Sequence, residues 1–384
     1  MSKQALIIKE EDKAVFSNFY DSLKTAKTQT NYLNCIQQFM RFLKTDSYAS
    51  LLNGNISENI KSWILDRRGK VSSGAIDVHI YALQHFYEMN DVDNISWKKL
   101  KRFKGEETPT HEDRGYSHTE IQTVLSVADV RLKPIISLLS SGGMRIGALP
   151  FLKLKHLTKK DNCYKIDVYA GTKEHYYTFC SPECRSYIEQ YLEFRTRYGE
   201  HLTPDSPLFR KSFDIEIPEK VRTNVTPLSL SAMEKDISKY LERVGIRTVN
   251  HELGGFKNRK EVKLAHGFRK FFATQCLNSK LMREYRILLE GHELEGNDPN
   301  YARVTEEELF TEYSRAINLL TINPENRLRL EVKQLTEEQS ELDLVKLQLI
   351  KLQNEAKQRE AKDRELDVIR NSVAKLKKEL GLID

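Results

Sequence analysis

The chain has 384 residues, of which 39% are hydrophobic and 30% charged, enough for two ordinary domains and an appendage. Lys+Arg 61 against Asp+Glu 55 gives a net charge of +6, a mild basic excess that suits a nucleic-acid partner without requiring one. No apolar run is long enough to span a bilayer and the N-terminus has no apolar signal core, which argues against a membrane partner and for a cytoplasmic protein. Five scattered cysteines, Cys35, Cys163, Cys180, Cys184 and Cys276, fit buried fillers in a reducing compartment better than a disulfide framework or a zinc site.

Residues 1–104 read as a helical domain. Apolar residues recur at three and four through Tyr32, Ile36, Phe39, Met40 and Leu43, and again through Ile76, Ile80, Leu83 and Tyr87. Polar turn residues divide about four helices. The domain ends in a basic stretch, Lys98, Lys99, Lys101, Arg102 and Lys104, interleaved with Leu100 and Phe103, and residues 105–115 lack periodicity, as a linker does.

A second domain, 116–324, opens with Ser117 as a helix N-cap and Glu120 as its capping-box partner. Helical pattern covers Ile121 to Val127 and Leu132 to Leu139, then stops at Ser140-Ser141-Gly142-Gly143. Alternation over Tyr164 to Tyr169 and His175 to Phe179, with a turn at Ala170 to Glu174, predicts a β-hairpin with Lys173 at its tip. Helices are expected again at about Pro182 to Arg197, Ser229 to Val244, Val262 to Asn278, Leu281 to Leu289 and Thr305 to Leu320.

Residues 325–384 change character, with no Gly or Pro between Glu325 and Leu380. Leu335, Leu342, Val345, Leu349, Leu352 and Ala356 fit an a/d seam; the seam breaks at Lys357 to Glu365 and resumes out of phase at Leu366, Ile369, Val373, Leu376 and Leu380. A long helix is expected. It could join two or four copies of the chain through residues 335–380, or fold back on its own domain.

Several residues suit an attack on a phosphodiester. Its oxygens gain negative charge in a five-coordinate transition state, which calls for cationic donors in fork geometry, and Arg145 and Arg269 are candidates. Arg145 follows a Gly-Gly turn, and Arg269 lies three residues after His266, on one helix face with it. Tyr301 is a candidate nucleophile whose phenol needs a base or cationic stabilisation as it loses its proton; His266 and His292 could supply the first or bind the phosphate. Tyr313, on the next helix, competes for that role, although its spacing with Leu309 and Ile317 suggests a core-facing ring. Lys173 could protonate the leaving oxygen. Taken singly, each of these residues has an ordinary structural explanation.

Their order is informative. The runs GMRIGAL from Gly143 to Leu149 and HGFRKFFAT from His266 to Thr274, with Gly291-His292 and a nine-residue step to Tyr301, resemble the motifs of the tyrosine recombinase (phage integrase) family, with an archaeal flavour. The resemblance covers about Ser22 to Leu320 and implies a mainly α fold with a small β-hairpin or sheet, a helical DNA-clamping domain and a catalytic domain. It implies a DNA strand-exchange enzyme working through a 3′-phosphotyrosyl intermediate on double-stranded DNA, as a homo-oligomer, without metal, ATP or other cofactor. Arg145, Arg269 and His292 would bind the phosphate, Lys173 would be the acid, His266 an acid/base and Tyr301 the nucleophile. DNA contacts are expected from the 98–104 stretch and from Lys257, Arg259, Lys260 and Lys263. Two positions depart from the family pattern: Ala148 stands where an acid is usual, and Gly267 where Asp is common. A type IB topoisomerase-like nicking-closing enzyme and a catalytically weakened architectural DNA-binding protein are the alternatives.

Overall fold

A computed structural model describes residues 8–105, 114–223, 225–246, 262–293 and 304–379. Tyr301, Lys257, Arg259 and Lys260 lie outside the described residues. The fold is mainly helical with one small sheet, as expected, and it divides into two compact units, one ending at Arg114 and the other beginning at Gly115.

The first unit contains α1 (Lys13–Asp21), α2 (Ala26–Leu43), α3 (Ile56–Arg67), α4 (Ser73–Glu88) and the short α5 (Trp97–Lys101). Thr25, Asn55 and Ser72 cap the starts of α2, α3 and α4, each accepting a backbone N–H in its own first turn. At its far end α2 stops on Lys44 in the left-handed region. The predicted apolar stripes meet in one core of Phe19, Ile36, Phe39, Ile60, Trp63, Ile80, Leu83 and Phe86. Trp63 is the largest of these buried side chains, with Phe39 edge-on to it at 5.9 Å and the Arg67 guanidinium 4.1 Å over its ring.

The second unit has its own core. Its helices are α6 (His118–Val127), α7 (Leu132–Gly142), α8 (Pro182–Arg197), α9 (Pro218–Thr223), α10 (Leu230–Arg243), α11 (His266–Asn278), α12 (Arg283–Leu289), α13 (Glu306–Leu320) and α14 (Pro324–Glu379). Ser117 and Glu120 close the predicted capping box on α6, and Thr305 with Glu308 closes another on α13. Helix α7 is buried on almost all sides, since Leu132 to Gly142 pack under the sheet and against α8, α11 and α13.

The hairpin is part of a three-stranded antiparallel sheet in the order β1 (Leu157–Lys160), β2 (Cys163–Val168), β3 (Tyr176–Cys180). Val168 pairs with Tyr176 and Tyr164 with Cys180, so residues 169–175 form the connecting turn that carries Lys173. Helix α11 starts four residues later than the apolar pattern suggests. Val262 is tucked inside, where its side chain and the Tyr116 ring both press on Gly267; a Cβ there would come within 2.4 Å of Val262 and 2.6 Å of Tyr116. The glycine at 267 is therefore a packing requirement of this chain, and the late helix start leaves His266 on the first turn.

Helix α14 runs as one continuous element from Pro324. Glu183 of α8 anchors its entry, accepting the backbone N–H groups of Ile322 at 2.7 Å and Asn323 at 3.1 Å. Beyond that point Leu335, Leu342, Val345, Leu349 and Leu352 are all more than half exposed, so the seam is not folded against its own unit. All five cysteines are buried and unpaired, which matches their reading as fillers.

Candidate active site

Arg145 is placed by the end of α7. Gly143 turns the chain in the left-handed region (φ 62°), and a Cβ there would lie 2.2 Å from the Phe272 ring of α11, so only glycine lets the two elements approach. The turn has a second use. The Gly143 carbonyl, freed at the helix end, accepts Arg269 Nη1 at 2.6 Å. Arg145 is exposed, whereas Arg269 is only 6% exposed, and Arg269 Nη2 donates to the Glu290 carbonyl at 2.7 Å.

His292 completes the group. Gly291, in the left-handed region at φ 68°, ends α12 and turns the chain so that the imidazole Nε2 lies 2.8 Å from Arg269 Nη2. Arg269 can only donate, so Nε2 is the unprotonated nitrogen and Nδ1 carries the hydrogen. Arg145 Nη2 lies 3.4 Å from Nδ1. It is nearly as close to Nε2, at 3.5 Å, so the Arg145 guanidinium lies against the ring as a whole, and its other N–H groups remain free to meet an anion in the cleft. Partial burial first, then Arg269 and Arg145, holds the His292 pKa below the usual imidazole value, with Glu290 acting in the opposite direction.

Arg145, Lys173, Tyr176, Gly291 and His292 line one cleft of about 1090 Å³, together with Tyr169, Glu174, His175, Leu288 and Glu293. Lys173 is exposed on the 169–175 turn, which bends through Tyr169 and Gly171, both at positive φ. His266 is exposed on the first turn of α11, one turn from Arg269. The structure therefore brings Arg145, Arg269 and His292 into contact and gathers Lys173 into the cleft that Arg145 and His292 line, with His266 on the same helix as Arg269.

Tyr313 lies in the core. It is fully buried, its ring lies 5.4 Å from Phe179, and its hydroxyl donates to the Ser141 carbonyl at 2.9 Å. Burial raises its pKa well above the usual phenol value.

Of the expected DNA-contacting side chains, Lys98, Lys99, Arg102 and Lys263 are exposed. Lys104 pairs with Asp77 at 2.7 Å, and the Lys101 ammonium sits 4.5 Å over the Tyr81 ring, so these two also tie α5 and its extension to α4.

Two residues of the site escaped the sequence reading. Tyr176, on β3, has a hydroxyl sealed from solvent beside Arg269; burial pushes its pKa up to about 12, against the pull of Arg269 and Arg145. A Cβ on Gly291 would lie 2.3 Å from its ring, so the glycine before His292 signals a bulky neighbour. Glu290 is the other. Its carboxylate is buried behind Arg269 and gripped by Arg286 at 3.1 and 3.2 Å.

The sequence matches no protein-family model and no curated protein. Solved structures do match. A crystal structure of XerH site-specific recombinase bound to palindromic difH substrate, a post-cleavage complex, superposes with a TM-score of 0.50 at 17% identity over 77% of this chain and 78% of that chain. A lambda integrase dimer bound to a COC' core site gives a TM-score of 0.50 at 11% identity over 74% of this chain and 94% of that one. The chain has the tyrosine recombinase fold, as its motifs imply.

Proposed function

We propose that the protein is a site-specific DNA recombinase that breaks and rejoins strands through a 3′-phosphotyrosyl intermediate. The observation that carries this reading is the meeting of Arg145, Arg269 and His292, delivered by three separate elements, beside a cleft that Arg145, His292 and Lys173 line. Tyr301 attacks the phosphorus and its proton passes to a base, for which His266 is placed on the first turn of α11. The bond to the 5′-oxygen breaks, and that oxygen takes a proton from Lys173. Arg145, Arg269 and the Nδ1–H of His292 meet the charge that grows on the non-bridging oxygens. The ester to the tyrosine keeps the energy of the broken bond, so attack by a 5′-hydroxyl of a partner strand restores the backbone without ATP.

Tyr301 is assigned as nucleophile because Tyr313 is locked in the core by its ring packing and its hydrogen bond to Ser141. Double-stranded DNA would be held by the first unit through Lys98, Lys99 and Arg102, and by the second through Lys263, with Lys257, Arg259 and Lys260 nearby in the chain. Phosphate contacts of this kind supply affinity and salt dependence more than sequence choice. The exposed seam of α14 supports assembly of copies on DNA, and the two similar structures, bound to DNA, are a recombinase and an integrase dimer. Such an enzyme would work at the nucleoid.

The test is a nicked suicide duplex carrying the protein's site. Wild type and Tyr313→Phe should form a covalent adduct and Tyr301→Phe should not. An adduct that survives in Tyr301→Phe moves the nucleophile, and no adduct from wild type refutes the enzymatic reading. Exchange of strands between two duplexes separates a recombinase from a nicking-closing enzyme.

A further inference from the structure

Glu290 is an acid in an unusual place. It ends α12, its side chain is 7% exposed, and both carboxylate oxygens accept from Arg286 Nη1 one turn earlier, at 3.2 and 3.1 Å. The oxygen Oε2 lies 3.9 Å from Arg269 Nη2 and 4.0 Å from His292 Nε2. One carboxylate thus sits behind both groups proposed to hold the phosphate, without facing the cleft, whose lining includes Gly291 and His292 but not Glu290. The main chain of the same residue also serves, since its carbonyl accepts Arg269 Nη2. At Ala148, three residues after Arg145, there is only a buried methyl group.

We propose that Glu290 is the positioning carboxylate of this site, holding Arg269 in its fork geometry and keeping the Arg269–His292 pair together. The inference rests on the recombinase reading for its catalytic consequence, but its electrostatic part does not. Arg145, Arg269 and Arg286 contribute three positive charges within one small region, and a nearly buried guanidinium without a counter-charge is strongly disfavoured. Glu290 offsets one of the three. It stands apart from the reacting atoms, so it acts through Arg269 and His292. The other titratable side chains around the pair are Tyr176, Lys173, Glu174, His175 and Glu293 at the cleft, and Cys276 of α11, whose thiol is buried and lies near Glu290.

Two substitutions in the full-length protein separate this role from plain structural support. Glu290→Gln keeps the shape and removes the charge; Arg286→Gln keeps the charge and removes its clamp. The His292 titration midpoint, followed by NMR without DNA, should move down in E290Q, because Glu290 raises it, and up in R286Q, because Arg286 lowers it. With the nicked duplex, E290Q should form adduct about 10- to 100-fold more slowly while its DNA affinity stays within roughly threefold at a fixed salt concentration. Glu290→Asp should recover part of the rate. An unmoved midpoint in both variants, or movement in one direction in both, overturns the electrostatic role. Wild-type cleavage by E290Q overturns the positioning role. If E290Q does not fold, the upward shift in R286Q with a several-fold loss of rate decides the matter alone. Opposed shifts in a protein that forms no adduct at all would leave the carboxylate's role standing and remove the recombinase reading instead.

Discussion

Gly291→Ala should disable the site without touching any charged group. The added methyl would start 2.3–2.5 Å from three atoms of the Tyr176 ring, where ordinary carbon contacts begin near 3.4 Å, so it must retreat by about 1 Å. The residue also sits at φ 68°, which costs a non-glycine residue about 1 kcal/mol. With overpacking of roughly 1–3 kcal/mol added, the loss is on the order of 3 kcal/mol, a fall in Tm of roughly 6–12 °C for a unit of this size. His292 is the next residue, and a displacement of about 1 Å in a reacting constellation lowers the rate roughly 100-fold. Adduct formation on a nicked duplex measures the second effect and thermal unfolding the first. The cause can be isolated by adding Tyr176→Ala, which removes the ring. The double variant should be more stable than the sum of the single losses by about 1–3 kcal/mol. Additive losses, or a Gly291→Ala protein that cleaves within threefold of wild type, would refute the proposed wedge between this glycine and Tyr176.

Three other perturbations test separate parts of the structure. Arg269→Lys cannot reach the Gly143 carbonyl, the Glu290 carbonyl and His292 with one fork, so adduct formation should fall about 10²–10³-fold while binding of the duplex in a gel-shift assay changes little. Glu200→Gln removes the counter-charge of Arg195 and Arg210, all three buried and joined at 2.5–3.0 Å, and should cost about 3–5 kcal/mol in denaturant unfolding. Glu200 is subject to a burial penalty, but the two arginines outweigh it and hold its pKa below the usual glutamate value. Its stabilisation is therefore complete above the unfolded carboxylate pKa and is lost as pH falls through the depressed folded value, so the wild-type and variant stability curves should converge in acid. Truncation after Pro324 should reduce oligomer size in light scattering and leave cleavage by single protomers intact; an unchanged oligomeric state would count against the α14 seam.

How much of this could be read in the sequence depends on range. Helices with caps and apolar stripes were legible because both signals are local: Ser117 with Glu120, and Ile76, Ile80 and Leu83 facing one core. Strand β1 was not, since Leu157-Thr158-Lys159-Lys160 shows no alternation and pairs only because β2 presents its edge. The proposed reacting groups stood out as an ordered set of residue types, and Tyr313 could be read as core from its helical spacing. Glu290 and Tyr176 were hidden by the opposite cause. A buried glutamate one residue from a Gly-His pair looks like surface charge in sequence, and a tyrosine in an alternating strand gives no sign of an arginine waiting across the turn. The triad of Glu200 with Arg195 and Arg210 was hidden likewise, since only Arg195 lies on a helix and no single element's period links the three.

The contacts of His292 link the acid–base state of the site to its readiness for an anion. Arg269 donates to Nε2, which fixes the hydrogen on Nδ1, while Arg145 Nη2 lies 3.4 and 3.5 Å from the two ring nitrogens. Partial burial first, and then the positive charges of Arg269 and Arg145, hold the pKa of His292 low, and a protonated His292 would also lose the Nε2 acceptor. At neutral pH the ring is therefore a neutral donor at the edge of the cleft that Arg145 also lines. Acidification through the depressed pKa breaks the Arg269 contact before it improves the site's charge. Adduct formation should accordingly fall on the acid side with a midpoint below the ordinary imidazole value, and that midpoint should follow the substitutions at Glu290 and Arg286 in opposite directions. A rate profile that ignores both would mean that His292 is not the group that titrates.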